Sequence, residues 1–417
     1  MRGRNKMEKL TCGKNRTSFK RRILHQTCLD KQTIKRMLVL LPEVDDSLMW
    51  NDLLGYDDPV LETIANELIN ITYDCEHFQP EAHTILRPYT IRKSCTSIDN
   101  ALEHCGPHGE SAFVHRYLFR VTEMRKLHSL LFPDPIKLEK RGQMYSEELL
   151  LLVCGRYRHV MATVADLGYF HGRDASCISA FFRAALDHLS AKFGHLLALD
   201  RMDRFRDFLP NWNASFSRKF QEKCGIPLPG RWSAANVTLD GIRLQVAKPT
   251  QNIAAVVNPY IGNLPTLVFI AIVGGNGMVV GLSAGWPGRQ NDPAVLSLLN
   301  VEQHLQNAGM IAICDSIFSH TMTTRPIPKA NQTMQYSPQQ LNAVSSVRVS
   351  IEWAFGELTT KMPFLIQYWK QKVYHTCPTK TFQVGVLLSN LRRCLEGGNA
   401  LTYFDEEIID VESYLAS

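Results

Sequence analysis

The stretch Asn236-Val237-Thr238-Leu239-Asp240-Gly241-Ile242-Arg243-Leu244 sets an acid inside an apolar, β-branched run. Such a run reads as a strand. A carboxylate in a buried strand is costly unless it meets positive charge. The pattern recurs at Met310-Ile311-Ala312-Ile313-Cys314, which Asp315 closes. A third acid, Glu352, lies within Val347-Arg348-Val349-Ser350-Ile351-Glu352-Trp353-Ala354-Phe355, which reads as a helix. Two strand-end aspartates and a helical glutamate make an oxygen-rich set. Hard divalent cations, two Mg²⁺ or Mn²⁺ ions, choose such ligands. A pair of ions roughly 4 Å apart suits phosphodiester cleavage, because one activates the attacking oxygen and the other stabilises the leaving one.

Outward from Asp240 the pattern predicts strands over Val237 to Val246, Thr266 to Val273 and Met278 to Ala284, with Gly274-Gly275-Asn276-Gly277 as a hairpin loop. A helix over Pro293 to Gln306 leads to a fourth strand, Met310 to Cys314, and Val384 to Arg393 reads as a closing apolar helix. Three hairpin-linked strands, a helix, a further strand and then helices is the element order of a ribonuclease H-like fold. Upstream, Phe113 to Leu131 reads as one amphipathic helix, and Ser146 starts another that runs to about Arg158. A short helix over Val160 to Tyr169, a turn at His171-Gly172 and a helix from an Asp174 cap to Phe193 together suggest a helix-turn-helix. Arg173, Ser176, Ser179 and Arg183 would then be the groups offered to DNA, although a pure packing role suits the same pattern.

Four strings resemble the DDE transposases of the PIF/Harbinger type and their domesticated nuclease relatives. They are TLDGIRL (238–244), NPYIGNLPTLVFIAIVGGNGMVVGLSAGWPGRQNDPAVL (258–296), IAICDSIF (311–318) and SSVRVSIEWAFGEL (345–358). The resemblance is strong from about Ala235 to Cys394 and fainter from about Ser111. It implies an α/β catalytic domain, a ribonuclease H-like mixed sheet flanked by helices, preceded by an all-α helix-turn-helix-like region. It also implies that Asp240, Asp315 and Glu352 bind the metals. Family members often need a separate Myb-like DNA-binding protein, so such a partner is expected, as are DNA itself, a nuclear location and an oligomeric state that the sequence does not fix. Two departures stand out: Cys314 replaces the glycine common before the second aspartate, and Ser389 replaces a common histidine.

The chain therefore divides into a disordered basic arm (1–22), a helical region without readable role (23–110), a helix-turn-helix-like region (111–207), a connector (208–234), the nuclease domain (235–400) and a tail (401–417). The arm carries nine Lys/Arg against Glu8 alone, within a net charge of +6, which suits phosphate binding, nuclear import or a solvated tail. Hydrophobic content of 45% and charged content of 21% are those of a globular protein. No apolar run approaches the ~18 residues of a membrane span, and no signal peptide is visible. Eleven cysteines without a C-x-x-C pair suggest reduced thiols. Cys95, His104, Cys105 and His108 match no common zinc spacing.

Several neighbouring residues carry competing readings. Asp292 suits an N-cap ahead of Pro293 or an accessory ligand. Arg289 suits a phosphate contact, and Arg348 suits either pairing with Glu352 or a phosphate. Glu357, five residues beyond Glu352, faces elsewhere and reads as a solvated charge. Gly281-Leu282-Ser283-Ala284-Gly285 mimics a hydrolase elbow, but Trp286-Pro287-Gly288 follows where a helix is needed. The expectation is a metal-dependent DNA endonuclease or transposase. The alternative is a domesticated, catalytically silent protein that keeps the fold for binding.

Overall fold

Nine consecutive pairs tie strand β3 (Val237–Gln245) antiparallel to β5 (Leu264–Gly274), from Val237 opposite Gly274 to Gln245 opposite Thr266. Both strands are rich in β-branched residues and nearly all of β5 is buried, as a central strand requires. Beyond β5 lie the short strands β6 (Val279–Leu282) and β7 (Trp286–Pro287). On the other side β3 pairs in parallel with β8 (Ala312–Cys314), which pairs in parallel with β9 (Thr324–Pro326). The order β6-β5-β3-β8-β9, three antiparallel strands followed by two parallel ones, is consistent with a ribonuclease H-like sheet. A two-residue strand, β4 (Val257–Asn258), adds to the start of β5. Strand β9 has no counterpart among the sequence expectations.

The computed structural model describes residues 95–158, 163–249, 256–259, 262–328, 336–367, 370–372 and 377–416. All belong to one contact unit, Ile91–Ser417. The basic arm and the region 23–94 lie outside the described residues.

Helices α1 (Ile98–Glu103), α2 (Gly109–Tyr117), α3 (Val121–Leu131), α4 (Ser146–Arg158), α5 (Val164–His171) and α6 (Ala175–Phe193) form the N-terminal part. The single helix expected over Phe113 to Leu131 is broken, because Leu118 takes a φ of 75° between α2 and α3, a conformation that no helix propagates. A small hairpin, β1 (Ile136–Leu138) with β2 (Gly142–Met144), occupies the Pro-rich break before α4. Helix α6 starts on its expected Asp174 cap, whereas α5, expected over Val160 to Tyr169, starts at Val164 and takes in His171; Val160 itself lies outside the described residues. Thr163 and Asp174 cap their first turns, and Gly172 ends α5 at a left-handed φ of 62°.

Leu209–Cys224, inside the stretch read as a connector, is helix α7. Its Trp212 lies fully buried against the hairpin loop, where a Cβ on Gly274 or Gly275 would come within 2.6 Å and 2.9 Å of the indole. The glycines are there because the ring needs their space. After β7 the expected single helix is again two, α8 (Asp292–Leu298) and α9 (Val301–Ala308), split at Asn300 with φ 49°. Helix α10 (Pro338–Lys361) starts on a Ser337/Gln340 capping box with proline at its first position, and buries Ala343, Val344, Val347, Ser350, Ile351, Ala354 and Leu358. Helix α11 (Pro378–Glu396) follows, then α12 (Asn399–Phe404) and α13 (Val411–Ala416).

The β3 side chains alternate between the two faces of the sheet. Thr238 points at α10, where its hydroxyl meets that of Ser350 at 3.1 Å. Phe269, paired with Ile242 on that same face, packs in tilted contact with Phe382 of α11, ring centroids 4.4 Å apart. Gly241 and Arg243 point at α8 on the opposite face. The N-terminal helices join this core directly: Tyr157, Phe182 and Phe364 form a ring cluster, and the Tyr157 hydroxyl donates to the Thr381 carbonyl at 2.6 Å. Among the described residues no helix is long and apolar enough to cross a membrane. Trp212→Ala should destabilise the chain by about 3–5 kcal/mol, as expected for loss of a buried aromatic; urea unfolding followed by circular dichroism checks this.

Candidate active site

The parallel register of β3 and β8 builds the acidic site. Val237, Thr238 and Leu239 sit opposite Ala312, Ile313 and Cys314, so Asp240 and Asp315 are the next residues on neighbouring strands. Matched residues of a parallel pair face the same way, which directs both toward the α10 face. Asp315 is exposed, with Oδ1 accepting from the Ser316 amide at 2.6 Å. Asp240 is more enclosed, and its Oδ1 accepts from the Gly241 amide at 2.8 Å.

Glu352 comes to this face from α10. Arg348, one turn earlier, donates from Nη1 to Asp240 Oδ2 at 2.8 Å and from Nη2 to Glu352 Oε1. One guanidinium thus holds both acids, and of the two roles the sequence left open for Arg348 it takes pairing. The Asp240–Arg348 pair is sheltered, with side chains 24% and 17% exposed. Burial pushes the Asp240 carboxyl above its usual range, and the negative charge of Asp315 adds to the shift; the Gly241 amide and Arg348 oppose it. Cys314, buried beneath them, has its thiol pushed up to about 12, mainly by burial, so it is an inert packing group.

Asp292 is not the N-cap of α8. Asn291 is, accepting from the Ala294 amide, and Asp292 is the first helical residue. It is buried on the α8 face, opposite to Asp240. A Cβ on Gly241 would lie 2.5 Å from its carboxyl carbon, and Arg243 Nη2 donates to it at 2.5 Å. Burial raises its pKa, Arg243 opposes the rise, and Asp315 adds to it. Glu357 is not a solvated charge either: Arg392 and Arg393 bind it at 3.0 Å and 2.8 Å. Ser389, at the position read as a departure, accepts from the buried Arg393 at 2.9 Å and so belongs to that same brace.

Several expected DNA contacts have other employment. Arg173 donates from Nε and Nη2 to the buried Glu148 at 2.6 Å and 2.8 Å, tying α6 to α4. Ser176 donates to Asp174 at 2.6 Å and accepts from Arg141 at 2.9 Å. Ser179 is half-buried; Arg183 is exposed and, among the described residues, bonds only to the Ser179 carbonyl of its own helix. Arg289 is exposed on the loop before α8. Ser283 of the false hydrolase elbow is buried, accepting from the Ile270 amide and donating to the Ala284 carbonyl. In the cysteine-histidine cluster, Cys105 and His104 bond to helix carbonyls of Ala101 and Asn100.

Among the described residues no three His, Cys, Asp or Glu side chains are gathered into a ready metal cage. In the acidic site the Arg348 guanidinium lies between two of the three acids. The donor set is all carboxylate oxygen, the chemistry a hard cation takes, and Arg348 pairs with two of its three members.

Residues 239–390 match the family model of the DDE superfamily endonuclease. The matched segment contains Asp240, Asp292, Asp315, Arg348 and Glu352, and it supports endonuclease chemistry of the transposase type for this part of the chain. No curated protein and no solved structure matches the chain significantly.

Asp240 gives a stability prediction. Its folded pKa lies above the ordinary 3.8, so its ionised form is less favoured in the fold than in the unfolded chain. The resulting cost is absent below that value and grows as pH rises through the folded pKa. Asp240→Asn should therefore melt at a higher temperature than the parent at pH 7 in a chelating buffer, with the difference shrinking toward pH 4. Melting curves across that range check it.

Proposed function

We propose that this chain is a divalent-metal-dependent DNA endonuclease of the PIF/Harbinger transposase type, with Asp240, Asp315 and Glu352 as its metal ligands. One observation carries the reading. Two aspartates follow registered parallel strands, and a helical glutamate shares a guanidinium with the first of them, inside the segment that matches a DDE superfamily endonuclease. Two Mg²⁺ or Mn²⁺ ions held there would supply the Lewis acidity that activates water and stabilises the leaving oxygen.

The chain's own part is to hold charge and shape. The register of β3 with β8 fixes the separation of the two aspartates, and α10 supplies the third acid from a rigid frame. Arg348 balances the carboxylates and keeps Glu352 on the face of Asp240. In the reaction, water oxygen bonds to phosphorus, the P–O3′ bond breaks, and the 3′ oxygen leaves as a hydroxyl that carries a proton from that water. The freed 3′-hydroxyl is the group that would join a second DNA. DNA is then the partner, the nucleus the place of action, and a Myb-like protein and a second copy of the chain the candidate accessories.

A second reading has its own support. Arg348 closes on two of the three acids, which suits a protein that has kept the fold for DNA binding without cutting. Plasmid nicking separates the two. With Mg²⁺ the parent should convert supercoiled DNA to open circles. Asp240→Asn and Asp315→Asn should each lose at least about a thousandfold in rate, the worth of several kcal/mol of charge stabilisation. Undiminished nicking by both folded variants would place the chemistry elsewhere. A parent that binds DNA but never nicks it would select the second reading.

A further inference from the structure

An acidic site that must accept DNA faces an electrostatic problem. Asp240, Asp315 and Glu352 outweigh Arg348 in charge, so the field at the site repels a phosphodiester backbone. Positive charge is needed beside it, on the same face and not spent on carboxylates.

Such charge lies at the β9 edge of the sheet. Arg325 pairs in register with Ile313, which pairs with Thr238, so Arg325 points to the face of Asp240 and α10. Among the described residues its Nη1 bonds to the carbonyls of Thr321 and Thr324 alone. Arg231 belongs to the segment that enters β3, and its neighbour Trp232 packs with Ile313, Val344 and Val347 on that face. The guanidinium stacks near the Trp232 ring at 5.6 Å, and its buried Nε has no hydrogen-bond partner. His320 is exposed on the loop that leaves Asp315 for β9. None of the three pairs with a carboxylate among the described residues.

The two guanidiniums act on each other and on the His320 ring, which offers a hydrogen-bond donor rather than a charge. Burial lowers the Arg325 pKa and Arg231 lowers it further; burial, Arg231 and Arg325 together lower that of His320. Arg325 lies one strand beyond β8, whose last residue, Cys314, precedes Asp315, so register alone sets the basic edge beside the acids. Mutual repulsion among unpaired cations costs stability that a bound anion would recover.

Resting on the endonuclease reading above, we propose that Arg231, Arg325 and His320 form a DNA-backbone subsite that seats a phosphate next to the scissile one on the β9 side. Guanidiniums bind phosphate in forked geometry, and contacts of this kind position the strand without reading its sequence. No expectation drawn from sequence pointed to these residues. Arg325 falls on a strand too short to announce itself, and Arg231 in the stretch that reads as a connector.

The test is binding of the full chain to a fluorescent DNA duplex, in EDTA so that no cutting occurs, over a series of KCl concentrations. Arg231→Ala/Arg325→Ala should weaken binding at least about tenfold and reduce the slope of log affinity against log salt by about two. Arg231→Lys/Arg325→Lys keeps the charges and should retain most of that slope while losing part of the affinity. Melting temperature reports whether each variant is folded, and the single alanine variants stand in if the double does not fold. A parent that binds DNA, with folded alanine variants of unchanged affinity and slope, overturns the subsite and leaves the endonuclease reading standing. A parent that does not bind DNA at all overturns both.

Discussion

Two carboxylates that follow neighbouring parallel strands repel each other, and everything around the candidate site bears on that repulsion. The register of β3 with β8 runs to the residue before each, Leu239 opposite Cys314, and so sets Asp240 and Asp315 side by side. Burial and Asp315 both act to raise the Asp240 pKa. The chain answers with Arg348, placed one helical turn before Glu352 so that a single planar fork reaches both Glu352 and the strand. For α10 to come that close, small polar groups must meet at the crossing, which the Thr238–Ser350 contact provides. A capping box and a proline fix where α10 begins and hence the height at which Glu352 arrives. The same acidity would draw divalent ions and keep DNA away, which is why the unpaired cations at the β9 edge matter to the account.

The acids and their strands were legible because an aspartate that closes an apolar run has few innocent explanations. The alternation in Thr238 to Leu244 also told which residues share a face. Elements set by backbone conformation were less legible. The breaks at Leu118 and Asn300 rest on positive φ at non-glycine residues, where hydrophobic spacing continues across the break. Strand β9 is three residues long and contains Pro326, too little to show a period. Charge pairing between distant segments left no local trace at all. Arg173 looked like a groove-facing cation and instead neutralises Glu148, while Glu357 looked solvated and is braced by Arg392 and Arg393.

Those braces show how the N-terminal helices serve the nuclease-like sheet. One continuous buried core runs from Cys95 to Tyr414, with Tyr157 reaching Thr381 of α11 and Arg158 reaching carbonyls at the end of α10. The helix that supplies Glu352 is therefore anchored at its far end by the helical region. Arg183 and Arg289 keep exposed guanidiniums on this framework.

The most direct measurement is a crystal structure of the chain grown in Mn²⁺, with anomalous scattering used to locate the metal. The account predicts Mn²⁺ bound by Asp240, Asp315 and Glu352, with the Arg348 guanidinium moved away from at least one of its two carboxylates. Mn²⁺ absent from this face at saturating concentration, with Arg348 still bridging Asp240 and Glu352, would contradict it.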